Sequence, residues 1–101
     1  MATTRIASGM TSPGLGWQQY PGGAGVFIDV DTGSGKFSTT PAYVTSLGGG
    51  SSHWATTGGT SVYLPTPTGF RIYVRWADGS PLSPANAAAF GWHVKWIGME
   101  V

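Results

Sequence analysis

Gly69-Phe70-Arg71-Ile72-Tyr73-Val74-Arg75-Trp76 decides the fold class of this chain. Phe70, Ile72, Val74 and Trp76 recur at every second position, with Arg71, Tyr73 and Arg75 between them. Successive side chains of a strand point to opposite faces. This order therefore predicts a sheet with one buried face and one face open to a partner or to water. The stretch Gly91–Val101 reads the same way. Trp92, Val94 and Trp96 share one face, and His93, Lys95 and Ile97 share the other. Its last residues are apolar at both parities, which predicts cover on both faces.

Working outward from these two strands, the segment between them carries one helix. Ser83 suits an N-cap and Pro84 the first helical position. Ala85, Ala87, Ala88 and Ala89 favour helix, and Gly91 ends it. Upstream, Gly25–Asp31 reads as a strand ending in the turn Thr32-Gly33-Ser34-Gly35. A further extended piece is expected over Phe37–Thr40. Ala42–Leu47 alternates, with Tyr43, Thr45 and Leu47 on one face. A short strand at Ser61–Leu64 is closed by Pro65 and Pro67. Residues Met1 to Gly23 are weakly patterned, with a short strand around Gly16–Tyr20 anchored by Trp17.

Composition agrees with short strands and tight turns. The 101 residues include 17 Gly, 7 Pro and 5 Trp, enough aromatic surface to oppose disorder. The length fits one domain. Charged residues are only 9% and the formal net charge is +1. That excludes electrostatic capture of nucleic acid, which needs clustered Lys and Arg. With no cysteine, disulfides and thiol chemistry are excluded. No apolar run reaches the roughly 18–20 residues of a membrane span. Met1–Arg5 opens without a signal-peptide pattern, as expected of an intact cytosolic protein or an excised domain.

Three pieces in order carry a family resemblance. They are Pro41-Ala42-Tyr43-Val44, Pro67-Thr68-Gly69-Phe70 running to Trp76, and Trp96-Ile97-Gly98-Met99-Glu100, with Gly16-Trp17 ahead of them. Together they resemble the H-type lectins, the fold of snail agglutinins and of the discoidin C-terminal domain. The resemblance implies one domain over residues 1–101, all-β, a six-stranded antiparallel β-sandwich. The helix then falls in the loop before the last strand. It also implies a homotrimer that binds glycans of the galactose or N-acetylgalactosamine class between protomers. In that family, sugar contacts come from an acidic residue of the N-terminal loop, from an arginine, and from a Trp-His pair ending the long strand. The corresponding positions here depart from that pattern: Gly22–Gly25 holds no acidic residue, the neighbourhood of Ser61 holds no arginine, and Trp76 is followed by Ala77 and Asp78 instead of His.

The residues themselves offer several sites. His53-Trp54 follows the loop Gly48-Gly49-Gly50-Ser51-Ser52; the indole either stacks on a sugar ring or plugs one end of the sandwich. Trp76 with Asp78 stands where the resembled family places its sugar-contacting pair, or Asp78-Gly79 is an ordinary turn. Arg71, Tyr73 and Arg75 form a ligand platform or an interface paired with Asp29, Asp31 or Glu100. The carbohydrate-binding set expected is therefore His53, Trp54, Arg75, Trp76 and Asp78. Asp29-Val30-Asp31-Thr32-Gly33-Ser34 is like the start of a calcium loop but lacks its glutamate; no metal or cofactor is expected. Neither a Ser-His arrangement around Ser51, Ser52 and His53 nor a spaced pair among Asp29, Asp31, Asp78 and Glu100 points to catalysis. The expected function is a lectin module. The alternative is a structural trimerisation or tip module of a fibre or cell-surface protein, without a ligand of its own.

Overall fold

The computed structural model describes residues 4–100. The chain runs β1 (Arg5–Met10), β2 (Gln18–Gln19), β3 (Val26–Asp31), β4 (Ala42–Gly48), β5 (Thr56–Thr57), β6 (Tyr63–Thr66), β7 (Gly69–Trp76), α1 (Pro84–Ala89) and β8 (His93–Glu100). It is all-β apart from α1 and two 3-10 turns, Gly33–Gly35 and His53–Ala55. One sheet has the order β1-β8-β4, the other β2-β3-β7-β5 with β6 also on β7. Every pairing is antiparallel. No helix among the described residues is long and apolar enough to cross a membrane.

The strand count is eight rather than six. β2 falls within the short strand expected around Gly16–Tyr20, whereas β5 is unexpected; each is only two residues long. Tertiary contacts impose such short pairs, and no period-two signal fits in two residues. β1 is hidden in the sequence for a different reason. Its inward positions are Ala7 and Gly9, while Ile6 and Met10 point outward and are exposed. Gly9 lies against the Trp96 indole, where an added Cβ would come within 2.7 Å of the ring. The large residue of that pair is on the partner strand, so β1 reads as apolar-out. Phe37–Thr40 forms no strand, although Phe37 itself is buried. Pro65 sits inside β6 and not after it. β6 has a register irregularity between Tyr63 and Thr66 and lies on the edge of its sheet, where a proline costs no ladder bond.

The two sheets share one apolar core. Val26, Ile28 and Val30 of β3 and Phe70, Ile72 and Val74 of β7 meet Val94 and Trp96 of β8, with Trp17, Leu82, Ala87 and Trp92. Complete burial of each aliphatic side chain contributes roughly 1.5–3 kcal/mol. Buried polar groups cross the core on specific partners. Thr45 donates to the Gly59 carbonyl at 2.7 Å, and the Tyr43 hydroxyl bonds Thr32 and the Thr66 carbonyl, each at 2.7 Å. α1 has the expected cap: the Asn86 N–H bonds the Ser83 hydroxyl, and the Asn86 side chain accepts from the Ser83 N–H at 3.0 Å. Gly91 follows at φ +64°, the left-handed position that favours glycine after a helix.

Among the described residues nothing fully covers the outer side of the last strand. Ile97 and Met99 of β8 are 46% and 44% exposed. They lie beside Ile6 of β1 and Val44 of β4 by register, and both of these are exposed too. The outer face of the β1-β8-β4 sheet is thus mostly apolar, interrupted by Ser8, Ser46 and Lys95.

Three carboxylates are held below their ordinary values by local bonds. Arg71 holds Asp29 down through side-chain hydrogen bonds. Glu100 is lowered by the Thr39 N–H and then the Ser38 hydroxyl, with Ser38 donating from its N–H at 2.7 Å and its hydroxyl at 2.8 Å. Asp78 is lowered by the Ser80 side chain and N–H. A folded value below the unfolded one means the fold favours the ionised form. That contribution is complete above the ordinary values of 3.8 for Asp and 4.5 for Glu. It disappears as pH falls through the folded values. The urea midpoint is therefore expected to stay flat from pH 7 to about 5 and to fall below about pH 4. Glu100→Gln is expected to make that fall shallower. A midpoint rising on acidification would contradict this sign.

Candidate aromatic cleft on the outer face of the larger sheet

β7 has β3 on one edge and both β5 and β6 on the other. β5 pairs with its Arg75–Trp76 end and β6 with its Gly69–Arg71 end. Between them the chain 58–62 leaves the sheet. A cleft of about 680 Å³ opens there, floored by Tyr73 and Arg75. Gly58 permits the departure. Its φ is +103°, and a Cβ there would run into the Tyr73 carbonyl oxygen.

The opposite wall is the turn after β2. The Tyr20 N–H bonds the Gly25 carbonyl at 2.9 Å and the Gly23 N–H bonds the Tyr20 carbonyl at 3.1 Å. The Gln19 amide fixes this turn from below, donating to the Gly25 and Leu82 carbonyls at 2.8 and 2.9 Å. Tyr20 and Tyr63 then meet Tyr73 edge-on, with ring centroids 5.7 and 5.0 Å from it. Aromatic pairs prefer this T-shaped geometry, so the three rings hold one another in place.

The arginines of β7 have different settings. Arg71 is clamped to Asp29 by two bonds of 2.7 and 3.0 Å and lies over the Phe27 ring at 4.3 Å. Asp29 and Tyr73 hold its guanidinium above the usual range. Arg71 also donates to the Tyr73 hydroxyl at 3.3 Å. Arg75 is exposed and makes no ion pair among the described residues. Of Asp29, Asp31 and Glu100, the candidate partners for this face, Asp29 alone serves, and it serves Arg71.

Of the five sequence-predicted site residues, Arg75 lines the cleft. His53 and Trp54 lie in the 3-10 turn just before β5. Trp54 is 85% exposed, so it plugs nothing. The Ala77 N–H bonds the Ala55 carbonyl at 2.8 Å, which brings this turn beside the end of β7. His53 is partly buried, its Nδ1 without a partner among the described residues. Trp76 points to the other side of the sheet from Arg75 and packs edge-on against Trp92 and Phe90, at 5.3 and 6.2 Å. Its ring belongs to the margin of the core. Asp78 accepts from the Ser80 N–H and hydroxyl at 2.9 and 2.6 Å, the turn role offered as its alternative. Likewise Asp31 accepts from the Gly33 N–H at 2.8 Å.

Tyr20 and Tyr63 are not singled out by the sequence. They are far apart along the chain, and only the pairing of β6 and β3 with β7 brings them to one place. The available signal is Tyr20 itself, an aromatic residue directly before Pro21-Gly22-Gly23 in a loop.

No family model matches the chain, and neither a curated protein nor a solved structure matches it. Function rests on the chemistry of this cleft. Among the described residues that line it, Arg75 is the one charged side chain, and none is His, Asp or Glu. What the cleft offers is aromatic surface, hydroxyls and one guanidinium.

Proposed function

We propose that the chain is a carbohydrate-binding module with the H-type lectin type of β-sandwich, acting as a homotrimer and not as an enzyme. The convergence of three segments on one cleft carries the reading. The loop Gly22–Gly25, the neighbourhood of Ser61 and Trp76–Asp78 correspond in place to the family's sugar contacts without holding its acidic residue, arginine or Trp-His pair, and the first two of them border the cleft beside Arg75. Ala24, Gly25, Ser61 and Arg75 all line the cleft described above. The tyrosine rings supply apolar faces for a pyranose, and the hydroxyls supply its hydrogen bonds. Trp54, exposed beyond Thr57, offers a second stacking surface to a longer glycan.

The mostly apolar outer face of the β1-β8-β4 sheet supports assembly, because soluble monomers rarely expose a large contiguous apolar patch. Trimerisation would multiply weak sites through effective concentration. Light scattering at micromolar concentration is expected to give the mass of three chains; a monomer would contradict the assembly.

A glycan array tests the ligand. Binding to a coherent set of sugars is expected, weakened about tenfold in Tyr63→Ala, a loss on the scale of one stacked aromatic contact. Trp54→Ala is expected to change stability by no more than about 0.5 kcal/mol, as for other exposed side chains, while reducing binding of the longer glycans. A silent array from a demonstrated trimer would sink the lectin reading and leave the structural module without a ligand.

A further inference from the structure

The charge inventory of the chain narrows the class of saccharide. The sequence holds four carboxylate side chains, Asp29, Asp31, Asp78 and Glu100. Each is engaged away from Arg75: Asp29 by Arg71, Asp31 by the Gly33 N–H, Asp78 by Ser80, and Glu100 by Ser38 and Thr39. Arg75 nevertheless stands at the cleft, exposed and unpaired among the described residues. Arg71, on the same face of the same strand, is fully clamped. The fold thus neutralises one arginine of this face and leaves the other presented.

The remaining groups point the same way. A carboxylate is an acceptor-only group and the natural partner for the hydroxyls of a neutral sugar, and none lines the cleft. The Tyr73 hydroxyl already accepts from Arg71, so its own proton is free to donate. A guanidinium presents a planar fork of N–H groups that matches a carboxylate or sulfate in two parallel bonds.

We propose that the saccharide bound in this cleft is an acidic one, with its carboxylate or sulfate on Arg75 and its ring against Tyr20, Tyr63 and Tyr73. This rests on the carbohydrate-binding reading above and specifies its ligand. The cleft volume of about 680 Å³ lies within the range of small-ligand sites.

Matched pairs of probes test it by titration calorimetry on the intact chain: galactose against galacturonate, lactose against 3′-sialyllactose, and galactose against galactose 6-sulfate. The acidic member of at least one pair is expected to bind at least tenfold more tightly than its neutral partner. The carboxylate and sulfate pairs then tell which anion the site takes. The advantage is expected to shrink as NaCl is raised, to vanish in Arg75→Gln, and to persist in part in Arg75→Lys. Arg75 is exposed, so both variants are expected to keep the thermal midpoint, which is measured alongside. Equal affinity for both members of every pair would overturn the acidic-ligand proposal and leave the saccharide reading intact. Failure of every probe, acidic and neutral, would overturn both.

Discussion

Trp92→Ala is expected to destabilise the protein by about 3–5 kcal/mol, the range for removing a large aromatic side chain from a packed core. Trp92 is fully buried. It stacks on Phe90 at 5.7 Å and meets Trp17 and Trp76 edge-on. Its indole N–H donates to the Ser51 carbonyl at 2.9 Å, and its own carbonyl accepts from the Trp17 indole at 3.0 Å. The truncation thus opens a cavity among these rings and strands the Ser51 carbonyl. A domain of this size has about 5–15 kcal/mol in all, so the variant is expected to sit near the edge of folding. Its thermal midpoint should fall by roughly 15–30 °C. A fall of only a few degrees would mean that this aromatic cluster is not the centre of the core.

Gly58→Ala should have the second largest effect, and it acts on the cleft as well as on stability. At φ +103° an L side chain is strained, which costs about 1–3 kcal/mol. The added Cβ would also collide with the Tyr73 carbonyl oxygen. That atom is backbone, so either β7 or the 57–61 segment must move. Either movement alters the distance between Tyr63 and Tyr73. Loss of saccharide binding by tenfold or more is expected, with a melting point lowered by roughly 5–15 °C. Unchanged binding would show that the ligand does not use this wall. Gly79→Ala is the matched control: Gly79 also has positive φ, but a Cβ there meets nothing within 4 Å, so strain is introduced without displacing β7.

The strands that are legible in the sequence are those whose large residues point inward. β7 shows its pattern because Phe70, Ile72 and Val74 fill the core while Arg71, Tyr73 and Arg75 face out. The last strand shows it through Trp92 and Trp96, which flank Val94 on the buried side. β1 hides because its inward residues are small to fit the Trp96 indole. The capped helix is readable for a local reason: Ser83, Pro84 and Asn86 meet within one turn.

The site is legible only in part. Arg75 is visible as an outward residue of the clearest strand, and Trp54 as an aromatic residue after a glycine loop. Tyr20 and Tyr63 gain their meaning from pairings between distant segments, which alternation within one strand does not encode. Trp76 is set differently. Its position at the end of the strand suggests a ligand contact, yet strand parity sets its ring on the core side, against Trp92.

The proposed saccharide site in the tyrosine-lined cleft beside β7 is tested most directly by a backbone amide NMR titration of the ¹⁵N-labelled chain with the tightest of the acidic saccharides. The largest shifts are expected at Gly25, Thr57, Gly58, Ser61 and Arg75, with the opposite β1-β8-β4 face unmoved. Saturable shifts confined to that opposite face or to another surface, with the cleft amides unchanged, would contradict this assignment.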